Sequence, residues 1–300
     1  MSNAIAYVQA AVDAGLDVDD FAPRLSFFFV SRTTLIEEVA KFRAARQVWA
    51  KIMKERFGAQ SEKSMQLRFH TQTAGVQLTA QQPEVNLVRV TIQALAAVLG
   101  GTQSLHTNSF DEALALPSEK AARLALRTQQ VIANETDLTK VVDPFAGSYA
   151  VENMTTDLVR AIEELIEKIE KQGGAVAAIE QGFQKSQIED SAFTIAQEIE
   201  KKERIVVGIN DFTQGDDSHP ILHKLDPQVG EEQRVRLALF KSQRDNQSVL
   251  TLLKKISDVA STSENVMPHL KLAIKAGATV GEICDALRSV WGIYRSREAF

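Results

Sequence analysis

The residues best suited to chemistry are concentrated in three short runs. Arg24 and Ser26 stand two apart, as do His70 and Gln72, with Gln66 and Arg68 ahead of them at the same spacing. Gln103, His106, Thr107 and Asn108 crowd around Leu105. Oily residues fill the alternate places: Leu25, Phe27 and Phe29 in the first run, Met65, Leu67 and Phe69 in the second. Successive strand residues point to opposite faces, so each run reads as a strand with an apolar wall and a polar wall. An arginine opening such a strand is costly unless it meets a bound phosphate or carboxylate, or an acidic side chain in a buried ion pair. His70 and Gln72 fall at the far end of the second strand, where parallel-barrel enzymes place their chemistry; a satisfied core histidine is the competing reading. Asp111 and Glu112, just past the third run, are either site carboxylates or ordinary helix-start acids.

Other signals are weaker. His219-Pro220-Ile221-Leu222-His223, beside Asp216 and Asp217, superficially resembles a metal site, but Pro220 opposes a two-turn ligating helix and a solvated loop is the default. Cys284 falls on the inward side of a capped helix and reads as a small hydrophobe. The chain carries no Gly-rich phosphate loop and no Gly-x-Ser-x-Gly elbow. Glutamates and lysines over 160–172 read as a solvated helix face with local ion pairs.

The elements that would carry these groups alternate. A short opening helix has Ile5, Val8, Val12 and Leu16 at helical spacing. Strand 22–30 is followed by a helix over 34–56, strand 64–71 by a helix over 85–99, and strand 103–108 closes the series. This order predicts consecutive βα units of a parallel sheet. Parallel strands are normally oily on both faces, so a polar wall implies a lumen holding a polar ligand. The rhythm fits a (β/α)₈ barrel, of which about three units are present. After Pro117 the pattern turns helical: 119–134, a turn at 143–148, a long helix over 150–172 stopped by Gly173-Gly174, and further helix to about 203. A short buried strand is expected at 204–210, a polar loop at 211–230, then two or three helices. The last opens with the capping box Thr279-Val280-Gly281-Glu282 and buries Ile283, Leu287, Val290 and Trp291. The expected domains are 1–118, the βα units, and 119–300, a helical extension.

Bulk properties narrow the class. At 300 residues, 44% hydrophobic and 24% charged, the chain is an ordinary globular protein with ample length for a core. A net charge of -5 gives no footprint for nucleic acid. One cysteine, no apolar run of about 18 residues and no signal-like N-terminus point to the cytoplasm and away from a membrane.

Longer stretches carry a resemblance. Phe21-Ala22-Pro23-Arg24-Leu25-Ser26-Phe27-Phe28 is similar to a signature of the adenosylcobalamin-dependent acyl-CoA mutases. So are Ser64-Met65-Gln66-Leu67-Arg68-Phe69-His70-Thr71-Gln72-Thr73 and the segment from Gly101 through His106-Thr107-Asn108-Ser109-Phe110-Asp111-Glu112 to Pro117. Asp143-Pro144-Phe145-Ala146-Gly147-Ser148, Ala278-Thr279-Val280-Gly281-Glu282 and Trp291-Gly292-Ile293-Tyr294-Arg295 extend the likeness over nearly the whole chain. The resemblance lies nearest the C-terminal part of the catalytic subunit in the branch that rearranges methylmalonyl-CoA. It implies a (β/α)₈ barrel with a hydrophilic lumen threaded by the CoA ester, and adenosylcobalamin as cofactor. By motif, Arg24, Ser26 and Gln103 match substrate-binding positions. His70 and Gln72 match catalytic positions between substrate and cofactor, and Gly75, Glu112 and Ala115 match positions touching cobalamin.

In the family a Tyr-His pair and the earlier βα units precede the first of these segments. The Asp-x-His-x-x-Gly motif that supplies an axial histidine belongs to a flavodoxin-like domain, and it does not occur here. The implied partners are therefore an acyl-CoA substrate, the N-terminal part of the barrel, and a cobalamin-binding domain or subunit. Competing readings are a sister mutase acting on isobutyryl, ethylmalonyl or 2-hydroxyisobutyryl groups, a non-catalytic assembly subunit, or an inactive fragment.

Overall fold

A computed structural model describes residues 1–214 and 222–295, so the His219-Pro220 segment with Asp216 and Asp217 lies outside the described residues. The chain divides into two compact units, 1–223 and 224–297. The first is α/β and mostly helical. Helix α1 (Ser2–Asp13) buries Ile5 and Val8, and the single turn α2 (Val18–Phe21) is capped by Asp17. Strand β1 (Phe27–Ser31) leads into α3 (Leu35–Glu55). The turn α4 (Glu62–Met65) precedes β2 (Phe69–Thr73), and α5 (Val85–Leu99) precedes β3 (Ser104–His106). Four helices follow: α6 (Glu119–Asn134), α7 (Tyr149–Glu170), α8 (Gly174–Glu180) and α9 (Phe183–Glu200). The expected βα rhythm is present, as is the turn at 143–148, where the Ala146 and Ser148 amides bond back to Asp143 and Phe145.

The strands form one parallel sheet in the order β1-β2-β3. Phe28 aligns with His70 and Val30 with Gln72; His70 in turn aligns with Ser104 and Gln72 with His106. The apolar wall of the sheet lies on α3. Phe27 meets Trp49 edge-on at 4.9 Å, Phe42 stacks on Phe69 at 5.0 Å, and Phe29 meets Phe69 edge-on at 5.3 Å. Offset and edge-on pairs of this kind add to the burial of large aromatic surfaces. Helix α5 joins beneath, where the Ser31 hydroxyl donates to the Gln93 carbonyl at 2.8 Å. Both sheet edges carry a guard. Lys41 Nζ donates to the Val30 carbonyl at 2.7 Å on the outer side of β1, and Gln129 Nε2 donates to the Leu105 carbonyl at 3.1 Å on that of β3.

Several boundaries differ from expectation. The first strand starts at Phe27, because Ala22–Arg24 forms a 3-10 turn around Pro23, whose ring fixes φ and removes a ladder donor. The second starts at Phe69: Asp19 accepts from the Gln60 and Ser61 amides and holds 62–65 as a helical turn. The third ends at His106, since Thr107 turns inward and donates to the Ala125 carbonyl at 2.7 Å. No strand forms over 204–210, where only an isolated Val207–Asp211 bridge occurs and Ile205 is 45% exposed. There the Asn210 side chain binds the Ile199 and Arg204 carbonyls and the Val206 amide, and that local loop displaces extended pairing.

Among the described residues the second unit holds four helices where two or three were expected. They are α10 (Pro227–Gln243), α11 (Asn246–Ala260), α12 (Met267–Lys275) and α13 (Val280–Trp291). Asp226 as cap and Pro227 in the first turn start α10 inside the region read as loop. Its core joins Val249 and Ile256 to Ala273, Ala278 and Ile283. The capping box at Thr279 and Glu282 forms, and Arg244 clamps Glu282, whose carboxyl is held far below the usual range chiefly by that bond. Cys284 and Val290 are exposed rather than inward, because Ile283, Ala286 and Leu287 are the α13 side chains that pack on this core; Trp291 is 61% exposed, with its indole donating to the Ala260 carbonyl at 2.8 Å.

Candidate active site

Alternation along the sheet produces the open wall directly. Phe28 and Val30, Arg68, His70 and Gln72, and Ser104 and His106 share the face turned away from α3 and α5, where they are exposed or half-buried. His70 Nδ1 lies 2.7 Å from Ser104 Oγ, and the imidazole sits beside the Phe28 ring at 5.0 Å. Two neighbours thus hold the ring while its other nitrogen stays open to a ligand. Gln72 Nε2 donates to Asn108 Oδ1 at 3.0 Å, and Asn108 is fixed by the Thr73 hydroxyl and carbonyl at 2.9 Å each.

Beyond the carboxyl ends of the strands, Gly75 and Glu112 adjoin. A Cβ on Gly75 would fall 2.7 Å from Glu112 Oε1 and 3.0 Å from Asn108 Nδ2, so a larger residue here would push the Glu112 carboxylate aside. Partial burial pushes the Glu112 carboxyl above its ordinary range, with Asp111 adding to the rise and His106 opposing it. Asp111 is fully buried and accepts from the Ser118 amide at 3.0 Å, which is a structural helix-start bond. An open cleft of about 660 Å³ lies here, bounded by His106, Ser109, Glu112, Ala115, Leu116 and Gln129. Among the described residues no group of three His, Cys, Asp or Glu side chains could hold a metal ion.

The expected site residues take three levels along the strand direction. Arg24 and Ser26 are exposed ahead of β1, His70 and Gln72 stand on β2, and Gly75, Glu112 and Ala115 lie past the strand ends. Arg24 is exposed, and among the described residues no carboxylate pairs with it. Gln103 departs from the expected wall. Its parity is that of Leu105, and its carboxamide closes the amino end of the sheet, accepting from the Phe69 amide at 2.7 Å and donating to the Gly101 carbonyl at 3.0 Å. Thr107 likewise turns into the structure. Phe28 and Ser104 adjoin His70 though the first reading named neither as a candidate, and Asn108, named there only within the third polar run, holds Gln72. Period-two counting from Ser26 reaches Phe28 and from His106 reaches Ser104, whereas Asn108 arrives by a turn that follows the strand.

Comparison with known proteins places the chain in a family. A family model described as methylmalonyl-CoA mutase matches residues 1–293. The 2-hydroxyisobutanoyl-CoA mutase large subunit of Aquincola tertiaricarbonis is 47% identical over 302 residues, covering 100% of this chain and 54% of the relative. Methylmalonyl-CoA mutase of Escherichia coli K12 is 42% identical, covering 98% of this chain and 41% of the relative. The methylmalonyl-CoA mutase large subunit of Porphyromonas gingivalis is 43% identical, covering 99% and 42%. The chain therefore spans about half the length of these relatives, or somewhat less.

Proposed function

The chain belongs to the methylmalonyl-CoA mutase family, and from that premise we propose that it forms the last βα units of an acyl-CoA mutase barrel with their helical extension. The reaction is the carbon-skeleton rearrangement of an acyl-CoA, with methylmalonyl-CoA to succinyl-CoA as the leading reading. The observation that carries this is the three-level order. Groups matched to CoA binding, to catalysis and to the cofactor follow one another along a single strand direction. From Ser26 to the level of Gln72 the span is roughly 13 Å at the rise of a parallel strand, the scale of an extended thioester arm.

The exposed Arg24 guanidinium and Ser26 hydroxyl would hold polar groups of the CoA chain at the amino end. Gln103 would contribute there by keeping that end of the sheet closed. His70, steadied by Ser104 and Phe28, would orient the acyl carbonyl, and Gln72 would hold the substrate's other polar group. The shelf beyond the strands suits a large amide-fringed ring: small residues at Gly75 and Ala115 leave room, and Glu112, Gln129 and Asn108 offer hydrogen-bonding groups. Adenosylcobalamin, when bound there, supplies a cobalt–carbon bond that breaks homolytically. Its axial histidine and lower face, and the remaining barrel units, would come from a complementing domain or subunit; two of the relatives bear the name large subunit. Among the described residues no helix is long and apolar enough to cross a membrane, and the proposed compartment is the cytoplasm. The higher identity to the 2-hydroxyisobutanoyl-CoA enzyme favours that substrate as the second reading.

The test uses the mutase reconstituted with its complementing chains. His70→Ala should lower kcat roughly a hundredfold, and Arg24→Ala should raise KM for acyl-CoA about tenfold, both with Tm nearly unchanged. Collapse of the fold in both variants, with a normal KM in what remains, would show that these side chains serve stability alone.

A further inference from the structure

Gly75 and Glu112 come from different loops, and the helix between them holds both. Asn86, in the first turn of α5, is fully buried. Its Oδ1 accepts from the Thr79 amide at 3.0 Å, and its Nδ2 donates to the Thr79 carbonyl at 2.8 Å and to the Phe110 carbonyl at 2.9 Å. Thr79 follows the Gly75–Gln77 turn by two residues, and Phe110 precedes Glu112 by two. One carboxamide thus ties the loop after β2 to the loop after β3. Arg89, one helical turn on, braces that carboxamide: Nη1 donates to Asn86 Oδ1 at 2.8 Å and to Thr79 Oγ1 at 3.0 Å. Its Nη2 donates to the Val207 carbonyl at 2.6 Å, so the segment after α9 is tied in as well.

Backbone geometry marks the same place. Among the described residues three non-glycine positions have positive φ, and two of them, Gln82 at 47° and Phe212 at 52°, are bonded to each other by Gln82 Nε2 and the Phe212 carbonyl at 3.0 Å. Positions of this kind persist only where the surroundings over-determine them. Gly208 packs on that Gln82 side chain, with its Cβ position 3.2 Å from Gln82 Cδ.

We propose that Asn86, braced by Arg89, is a positioning residue that sets the separation of Gly75 and Glu112 across the strand ends. Residues 207–212 act as the outer strap of this clamp. The cofactor-side importance of that separation rests on the function proposed above; the clamp itself rests on the bonds alone. Asn86→Asp keeps the acceptor and removes both donated bonds, while Arg89→Met removes the brace and leaves Asn86 unchanged. Hydrogen exchange on the full chain should show the Glu112, Leu114 and Ala115 amides speeding up about tenfold in each variant, as loss of a charged or buried bond implies, with α3 and α7 at wild-type rates. Wild-type rates over 110–115 in both variants, or a uniform rise across the chain, would overturn the clamp. In the reconstituted mutase, Arg89→Met should raise the adenosylcobalamin concentration for half-saturation severalfold, with kcat at saturation little changed. Faster exchange without that rise would uphold the clamp and overturn the cofactor-side reading of Gly75 and Glu112.

Discussion

Glu112 shows what one side chain reveals about its surroundings. Its carboxyl is raised by partial burial and by Asp111, against the pull of His106. A carboxyl with a folded pKa above its unfolded value adds stability at low pH and loses that contribution as pH rises through the raised value. Glu112→Gln, neutral at every pH, should therefore gain in Tm relative to the natural protein on going from pH 4 to pH 7. A thermal melt of each at the two values decides it, and an unchanged difference would mean that Glu112 ionises as freely in the fold as in water. Some of the site was legible at this scale and some was not. His70 and Gln72 stood out because Met65, Leu67 and Phe69 alternate strictly with polar residues. Gln103 lies off the wall, and three polar residues in a row hide that parity in the sequence. Asn86 gave no signal at all, since its partners Thr79 and Phe110 lie in two loops whose approach only the fold creates.

Elements were read well where a pattern is local. Helices α3, α5, α6 and α7 fall within a residue or two of expectation, because Val39, Phe42, Val48 and Trp49, for example, repeat at helical spacing and all are buried. Strand starts were missed where distant or local polar contacts decide them: Asp19 stops the second strand from beginning early, and Asn210 turns an apolar run into a loop. The residue just past α5 comes close to α3. A Cβ on Gly100 would fall 2.2 Å from the Phe42 ring, which is itself stacked on Phe69. Gly100 has an ordinary right-handed backbone, so the constraint is space rather than conformation. Gly100→Ala should cost about 1–3 kcal/mol of stability by overpacking, measured by denaturant unfolding. A loss well below that would mean Phe42 can move aside without disturbing the sheet.

At the scale of the molecule, the sheet is small and open on two sides. Exposed strand edges invite pairing with other chains, and Lys41 and Gln129 occupy a carbonyl on each. Replacing both, as Lys41→Met with Gln129→Leu, should shift the isolated chain toward self-association at a given concentration in sedimentation velocity. An unchanged distribution would show that the edges are protected by other means. These guards also alter what it takes to extend the sheet. An incoming strand finds the Val30 and Leu105 carbonyls already bonded, so at those two atoms it exchanges one donor for another and gains no bond. Its advantage must come from the rest of its length, through further ladder bonds and the apolar groups it lays beside Phe28 and Val30. A brief or misaligned segment falls below that threshold, while a strand of full length in register passes it. The edge is thus selective for length as well as for sequence.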